Sequence, residues 1–170
     1  MGIRFYRGSE LDVLDRFYGA ALIGEPDIVV RVTGDCPMID PKVIDEAITL
    51  FKRENSIYAA TSERFPDGFD VEVCTFSALH QAWSEATEIY DREHVMPYVR
   101  RLADQQVSIL ENAQDLSHLR VTLDEPEDIE VIRNVFNYFG NDDFHCDDVG
   151  ELSRVRPEIF AANKHLTRNE

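Results

Sequence analysis

Apolar residues recur at two spacings along this chain, and the alternation between them predicts helices separated by strands. Leu11, Leu14, Phe17, Tyr18 and Leu22 form a helical stripe in "SELDVLDRFYGAALIG", with Ser9 as the expected N-cap, Asp12 three residues on and Gly24 at the end. "DIVVRVT" is a run of β-branched residues and reads as a central strand. Asp40-Pro41 opens a second helix, with proline at its favoured first position. "SIYAATS" is a short strand, and "FPDGFDVEVCTF" is a Pro-Asp-Gly turn leading into another. Ser77 is the expected cap of "SALHQAWSEA", and Pro97 should kink or restart the helix of "YDREHVMPYVRRLA". "QVSILEN" and "HLRVTLD" read as strands, and Pro126 and Gly140 bracket a long helix. The tail "DDVGELSRVRPEIFAANKHLTRNE", from Asp147, is expected to hold short helical pieces and to fray.

This order predicts an α/β fold: a mostly parallel sheet with helices on both faces. Residues 1–145 are expected to form the α/β domain, and residues 146–170 a C-terminal helical tail. Ligands in such sheets bind beyond the carboxyl ends of the strands. Asp35 and Asp124 each stand just past a predicted strand and just before a proline-started helix, which puts two carboxylates at one sheet edge.

Composition narrows the function classes. A net charge of −16 disfavours a nucleic-acid surface. No apolar run approaches the length of a membrane span, and "MGIRFYRGSE" does not read as a signal peptide. Three cysteines without CxxC spacing point to reduced thiols in the cytoplasm rather than to a disulfide framework or zinc site.

Each candidate residue has a plain reading beside a chemical one. Asp35 and Asp124 either cap helices or hold a hard divalent cation such as magnesium. Asp70 and Glu72, alternating with valines, either line a solvated strand face or accept hydrogen bonds from a polyhydroxylated ligand. Glu93 and His94 are either structural helix residues or substrate contacts. Arg7, Arg16 and Arg31 either pair with the chain's own acids or meet phosphate or carboxylate through their planar forks. Cys36 reads as a small buried thiol, and His145-Cys146 lacks the second cluster a metal tract needs.

Taken in order, "FYRGSELDVLDRFY", "DIVVRVTGDCPMID", "FPDGFDVEVCTFSAL", "DREHVMPY" and "LRVTLDEPEDIEVI" resemble the cytidylyltransferase family of spore coat polysaccharide biosynthesis protein F. That group is similar to the acylneuraminate and ketodeoxyoctulosonate cytidylyltransferases. The resemblance runs from about Phe5 to about Phe139. It implies a glycosyltransferase-A-like fold and an enzyme that joins a sugar to CMP from CTP, releasing pyrophosphate, for surface or spore-coat polysaccharide. It implies magnesium on Asp35 and Asp124, nucleotide contacts at Arg31, Gly34 and Asp35, and sugar-side contacts at Asp70, Glu72, Glu93 and His94. The family's glycine- and arginine-rich opening loop has no counterpart in this sequence, so an N-terminally truncated version of the fold is expected. An uncovered sheet edge would then favour a homodimer. A non-catalytic relative, an interaction domain, or a glycosyltransferase that consumes a nucleotide sugar remain alternatives.

Overall fold

The structure is a computed structural model that describes residues 2 and 4–168. In chain order it contains α1 (Val13–Leu22), β1 (Ile28–Arg31), α2 (Pro41–Arg53), β2 (Tyr58–Thr61), β3 (Glu72–Thr75), α3 (Phe76–Glu85), α4 (Ile89–His94), α5 (Met96–Ala103), β4 (Val107–Leu110), α6 (Pro126–Phe139), α7 (Cys146–Val155) and a 3-10 helix (Pro157–Phe160). The helix–strand order is the expected one except for a predicted strand before α6. Two of the expected caps are displaced. Asp12, not Ser9, caps α1, its carboxylate accepting from the Asp15 amide at 3.0 Å. Thr75, not Ser77, caps α3 by accepting from the Ala78 amide at 3.1 Å. Pro97 acts as expected: α4 stops at His94, Val95 takes φ 71, and α5 starts afresh at Met96.

The strand order is β1-β3-β2-β4. The sheet is mixed, which corrects the expectation of a mostly parallel one. Thr61 donates to the Val71 carbonyl and Thr75 to the Ile57 carbonyl, so β3 runs antiparallel to β2. Phe76 bonds the Asp27 carbonyl, a register that only an antiparallel β1–β3 pair allows. Ile57 to Gln106 and Ser62 to Leu110 advance together, so β2 and β4 are parallel. The physical reason lies in the connection. A parallel return needs a crossover of a dozen or more residues, usually a helix. Residues 62–71 contain no helix and fold back directly into β3. β1 is also an edge strand in this order, not a central one.

The predicted strand "HLRVTLD" does not form. Arg120 makes an isolated parallel bridge with Asp67, and the Asp67 amide and carbonyl take up the Leu119 carbonyl and Val121 amide. The next amide bond goes elsewhere, from Leu123 to the Asp35 carbonyl. This extended segment is shared between two loops, so it builds no ladder.

The chain divides into two compact units. The first comprises residues 1–30, 50–59 and 72–108, the second residues 31–49, 60–71 and 109–170. The first buries Leu14, Val73, Leu79, Met96 and Val99. There Tyr18 stacks on Trp83 at 4.3 Å, and Trp83 donates to Asp15 at 2.8 Å. The second buries Phe69, Val71, Val121, Val131, Val135, Val149 and Leu152. Residues 146–168 pack within this second unit. The described part of the tail, expected to fray, is packed at Asn163, which is buried and held by side-chain bonds.

Candidate functional site

β1 ends at Arg31, which is half-buried, and the chain then turns through Thr33–Cys36. The Cys36 amide bonds the Thr33 carbonyl, and the Thr33 hydroxyl lies 3.0 Å from Cys36 Sγ. Gly34 and Asp35 sit exposed on this turn. A Cβ on Gly34 would meet open space, so the chain's own packing does not require glycine there. Burial pushes the Cys36 thiol up to about 11 against the opposing Thr33 bond, with the Asp35 and Asp70 charges adding to the rise. The thiol beside Asp35 is therefore a packing group, not a nucleophile.

The Asp35 turn is tied to the segment that carries Asp124. The Asp35 carbonyl accepts from the Leu123 amide at 2.8 Å and from the Thr122 hydroxyl at 3.2 Å. These two bonds set the main chains of the two predicted metal residues side by side within the second unit. Gly68 closes the same region from below. Its φ is +106, and a Cβ there would lie 2.7 Å from the Thr122 amide nitrogen. Only glycine allows that approach.

Arg120 is the hub of the site, and sequence reading missed it. Its buried guanidinium donates to Asp67 at 2.8 Å, to Asp124 at 2.8 Å, and through two bonds of 3.0 Å to both oxygens of Asp128. Asp128 is fully buried and also accepts from the Asp124 and Glu125 amides and from Asn163 Nδ2. Burial alone would raise the Asp128 carboxyl, but the bonds from Arg120, Asn163 and the two amides outweigh it and lower it to about 2. Asp67 responds the other way. Burial raises it, Arg168 and Arg120 pull it down, and the charges of Asp70 and Asp124 push it up again; the outcome is a raised carboxyl. The sequence signal for the hub was the four-residue spacing of Arg120, Asp124 and Asp128, which looks like helix patterning but here spans an extended segment and a helix start.

Asp70 also lies in the second unit, where its Oδ2 accepts from the Gly68 amide at 3.2 Å and its Oδ1 pairs with Arg168. The structure thus gathers Arg31, Gly34, Asp35, Asp70 and Asp124 into one unit. Glu72, Glu93 and His94 belong to the other. Glu72 accepts from the Tyr58 hydroxyl at 2.6 Å. Glu93 and His94 end α4, where the His94 ring lies 4.4 Å from that of Tyr90. The His145-Cys146 pair shares a different role. The His145 ring and the Cys146 amide both bond the buried carboxylate of Asp40, at 3.0 and 2.9 Å, which ties the start of α7 to the start of α2.

Among the described residues, no group of three or more His, Cys, Asp and Glu gathers as a metal cluster. The donor set at Asp35 and Asp124 nonetheless fits magnesium by chemistry: two hard carboxylates, with the remaining positions left to water and substrate phosphate. Arg120 and the Thr122 hydroxyl both donate to Asp124 Oδ2. No helix among the described residues is long and apolar enough to cross a membrane.

Comparison with known proteins bears on the family and the fold. The cytidylyltransferase family model matches residues 1–135. The chain is 37 % identical over 169 residues to an uncharacterized protein, MJ1063, of Methanocaldococcus jannaschii, covering 98 % of this chain and 69 % of that one. It is 33 % identical over 149 residues to the spore coat polysaccharide biosynthesis protein SpsF of Bacillus subtilis, covering 82 % of this chain and 59 % of that one. Among solved structures, a cytidylyltransferase from Leptospira borgpetersenii matches with TM-score 0.86 and 32 % identity, over 96 % of this chain and 70 % of that chain. The α/β fold with its mixed four-stranded sheet is therefore that of a cytidylyltransferase, and the chain belongs to the cytidylyltransferase family.

Proposed function

We propose that this chain carries the metal-binding part of an enzyme that joins a sugar to CMP from CTP and releases pyrophosphate. The single observation that carries the reading is the double hydrogen bond from Thr122 and Leu123 to the Asp35 carbonyl. It sets the turn bearing one hard ligand against the segment bearing the other, in a chain of the cytidylyltransferase family. The name of the SpsF relative suggests cell-surface or spore-coat polysaccharide as the destination of the product.

Magnesium, when bound by Asp35 and Asp124, would neutralise charge that builds on the phosphates during in-line attack. The chain's own residues do the rest. Arg120 holds Asp124 through Oδ2. Gly34 offers an exposed turn where a phosphate can approach the backbone. Asp70 supplies a carboxylate for sugar hydroxyls, and Arg31 a cation at the strand end. The attacking sugar hydroxyl would displace pyrophosphate from the α-phosphorus of CTP, leaving the sugar oxygen bonded to CMP.

Product analysis tests the reading. The chain is incubated with CTP, magnesium and a panel of sugars, and the released phosphate species are separated. Pyrophosphate that appears in step with a CMP-sugar is the expected result. Free nucleoside diphosphate from a supplied nucleotide sugar would instead mark a glycosyltransferase on the same fold.

A further inference from the structure

The family model stops at residue 135, yet the C-terminal segment reaches the centre of the site. Asn163 is buried and its amide donates both to the Arg120 carbonyl at 3.0 Å and to Asp128 at 2.8 Å. Leu166 turns back to the Asn163 carbonyl at 2.9 Å, and the Thr167 carbonyl accepts from Arg120 at 3.4 Å. That turn delivers Arg168, whose guanidinium pairs with Asp70 and reaches the carbonyls of Glu63 and Phe65, each at 3.4 Å. Asp70 in turn takes the Gly68 amide. Every one of these residues belongs to the second unit.

Charge balance explains what such a contact does. Asp35, Asp67, Asp70 and Asp124 all lie in this unit, and Asp67 feels both Asp70 and Asp124. Arg120 is already shared among Asp67, Asp124 and Asp128. A polyanionic nucleotide meeting this surface needs a further cation to offset the acids. Arg168 supplies it from the tail. Its planar fork also fixes the carboxylate's direction, which a point charge would not.

We propose that Arg168 is a positioning residue of the site: it neutralises and orients Asp70, and so holds the 66–70 loop in its ligand-ready form. Its function in the reaction rests on the nucleotidyltransferase reading above; its effect on the loop does not. The C-terminal segment is thus a working part of the site, anchored through Asn163 to the same aspartate that braces the Asp124 segment.

The test is amide hydrogen exchange on the full chain, comparing the parent with Arg168→Ala, Arg168→Lys and Asp70→Asn, alongside Mg·CTP titrations. Losing one charge-assisted bond should speed exchange of residues 66–70 by roughly tenfold in Arg168→Ala. Asp70→Asn breaks the same pair without touching the tail and should give the same local effect. Arg168→Lys should restore part of the protection, and the amides of α6 should not change. In the titrations, Arg168→Ala should weaken Mg·CTP, Arg168→Lys should recover part of the affinity, and the double variant with Asp70→Asn should bind no more weakly than Arg168→Ala, because both lose the same contact. A merely structural role would not be rescued by the conservative variant. Unchanged exchange at 66–70 in Arg168→Ala, or an equal rise throughout the second unit, would overturn the proposal. A parent chain that binds no Mg·CTP while the exchange pattern holds would count against the nucleotide reading and leave the positioning role standing.

Discussion

Asp35 does two jobs with two different groups. Its carbonyl receives the Thr122 and Leu123 bonds, and its exposed carboxylate is left to face solvent beside Cys36. The sequence predicts Asp35 and Asp124 at one sheet edge because both follow extended segments, but only the first segment is a strand, and what joins the two is a pair of bonds to the Asp35 carbonyl. What it did not reveal was the cost of bringing them together. Gly68 carries that cost, with φ +106 and backbone of Val121 and Thr122 within 3 Å of where a Cβ would stand. Read in "PDGFD", it looked like an ordinary turn glycine. Gly68→Ala is expected to destabilise the chain by about 2 kcal/mol or more, since strain and a backbone clash combine. Urea denaturation checks this; a variant as stable as the parent would show that the 121–122 segment can move away freely.

At the scale of elements, α6 shows how a helix start became a charge anchor. Pro126 and Gly140 announced the helix in the sequence, and it runs between them. The burial of Asp128 was not legible, because an acid in the first helical turn is ordinarily a solvated dipole partner. Here its partners come from Arg120, on the extended segment before the helix, and from Asn163 in a tail expected to fray. A carboxyl held near 2 rather than at 3.8 stabilises the folded state fully above pH 4 and loses that stabilisation as pH falls through 2. The stabilisation at stake is about 2 kcal/mol. Acid titration of stability should show this limb, and Asp128→Asn should flatten it while lowering stability at neutral pH. β3 teaches the complementary lesson. Its strand was legible from alternating valines, but its direction depended on a helix-free connection, which residue types alone do not announce.

The whole molecule carries −16, and this charge has consequences that local contacts do not offset. Exposed pairs such as Arg53–Glu54 and Arg154–Glu151 are worth little individually. Self-repulsion should therefore dominate the salt response. Raising ionic strength from about 0.01 M to about 0.15 M shortens the screening length from roughly 30 to roughly 8 Å, and the melting temperature should rise. A fall would mean that surface pairing outweighs repulsion. The same charge bears on ligand binding: a strongly acidic chain that accepts CTP needs a cation to mediate, which is why magnesium stands at the centre of the account. The most direct test is a calorimetric titration of the chain with CTP, with and without magnesium, beside Asp35→Asn. The account predicts binding that requires magnesium in the parent and is lost in Asp35→Asn while the fold stays intact. Equal CTP binding by the variant, or binding indifferent to magnesium, would contradict it.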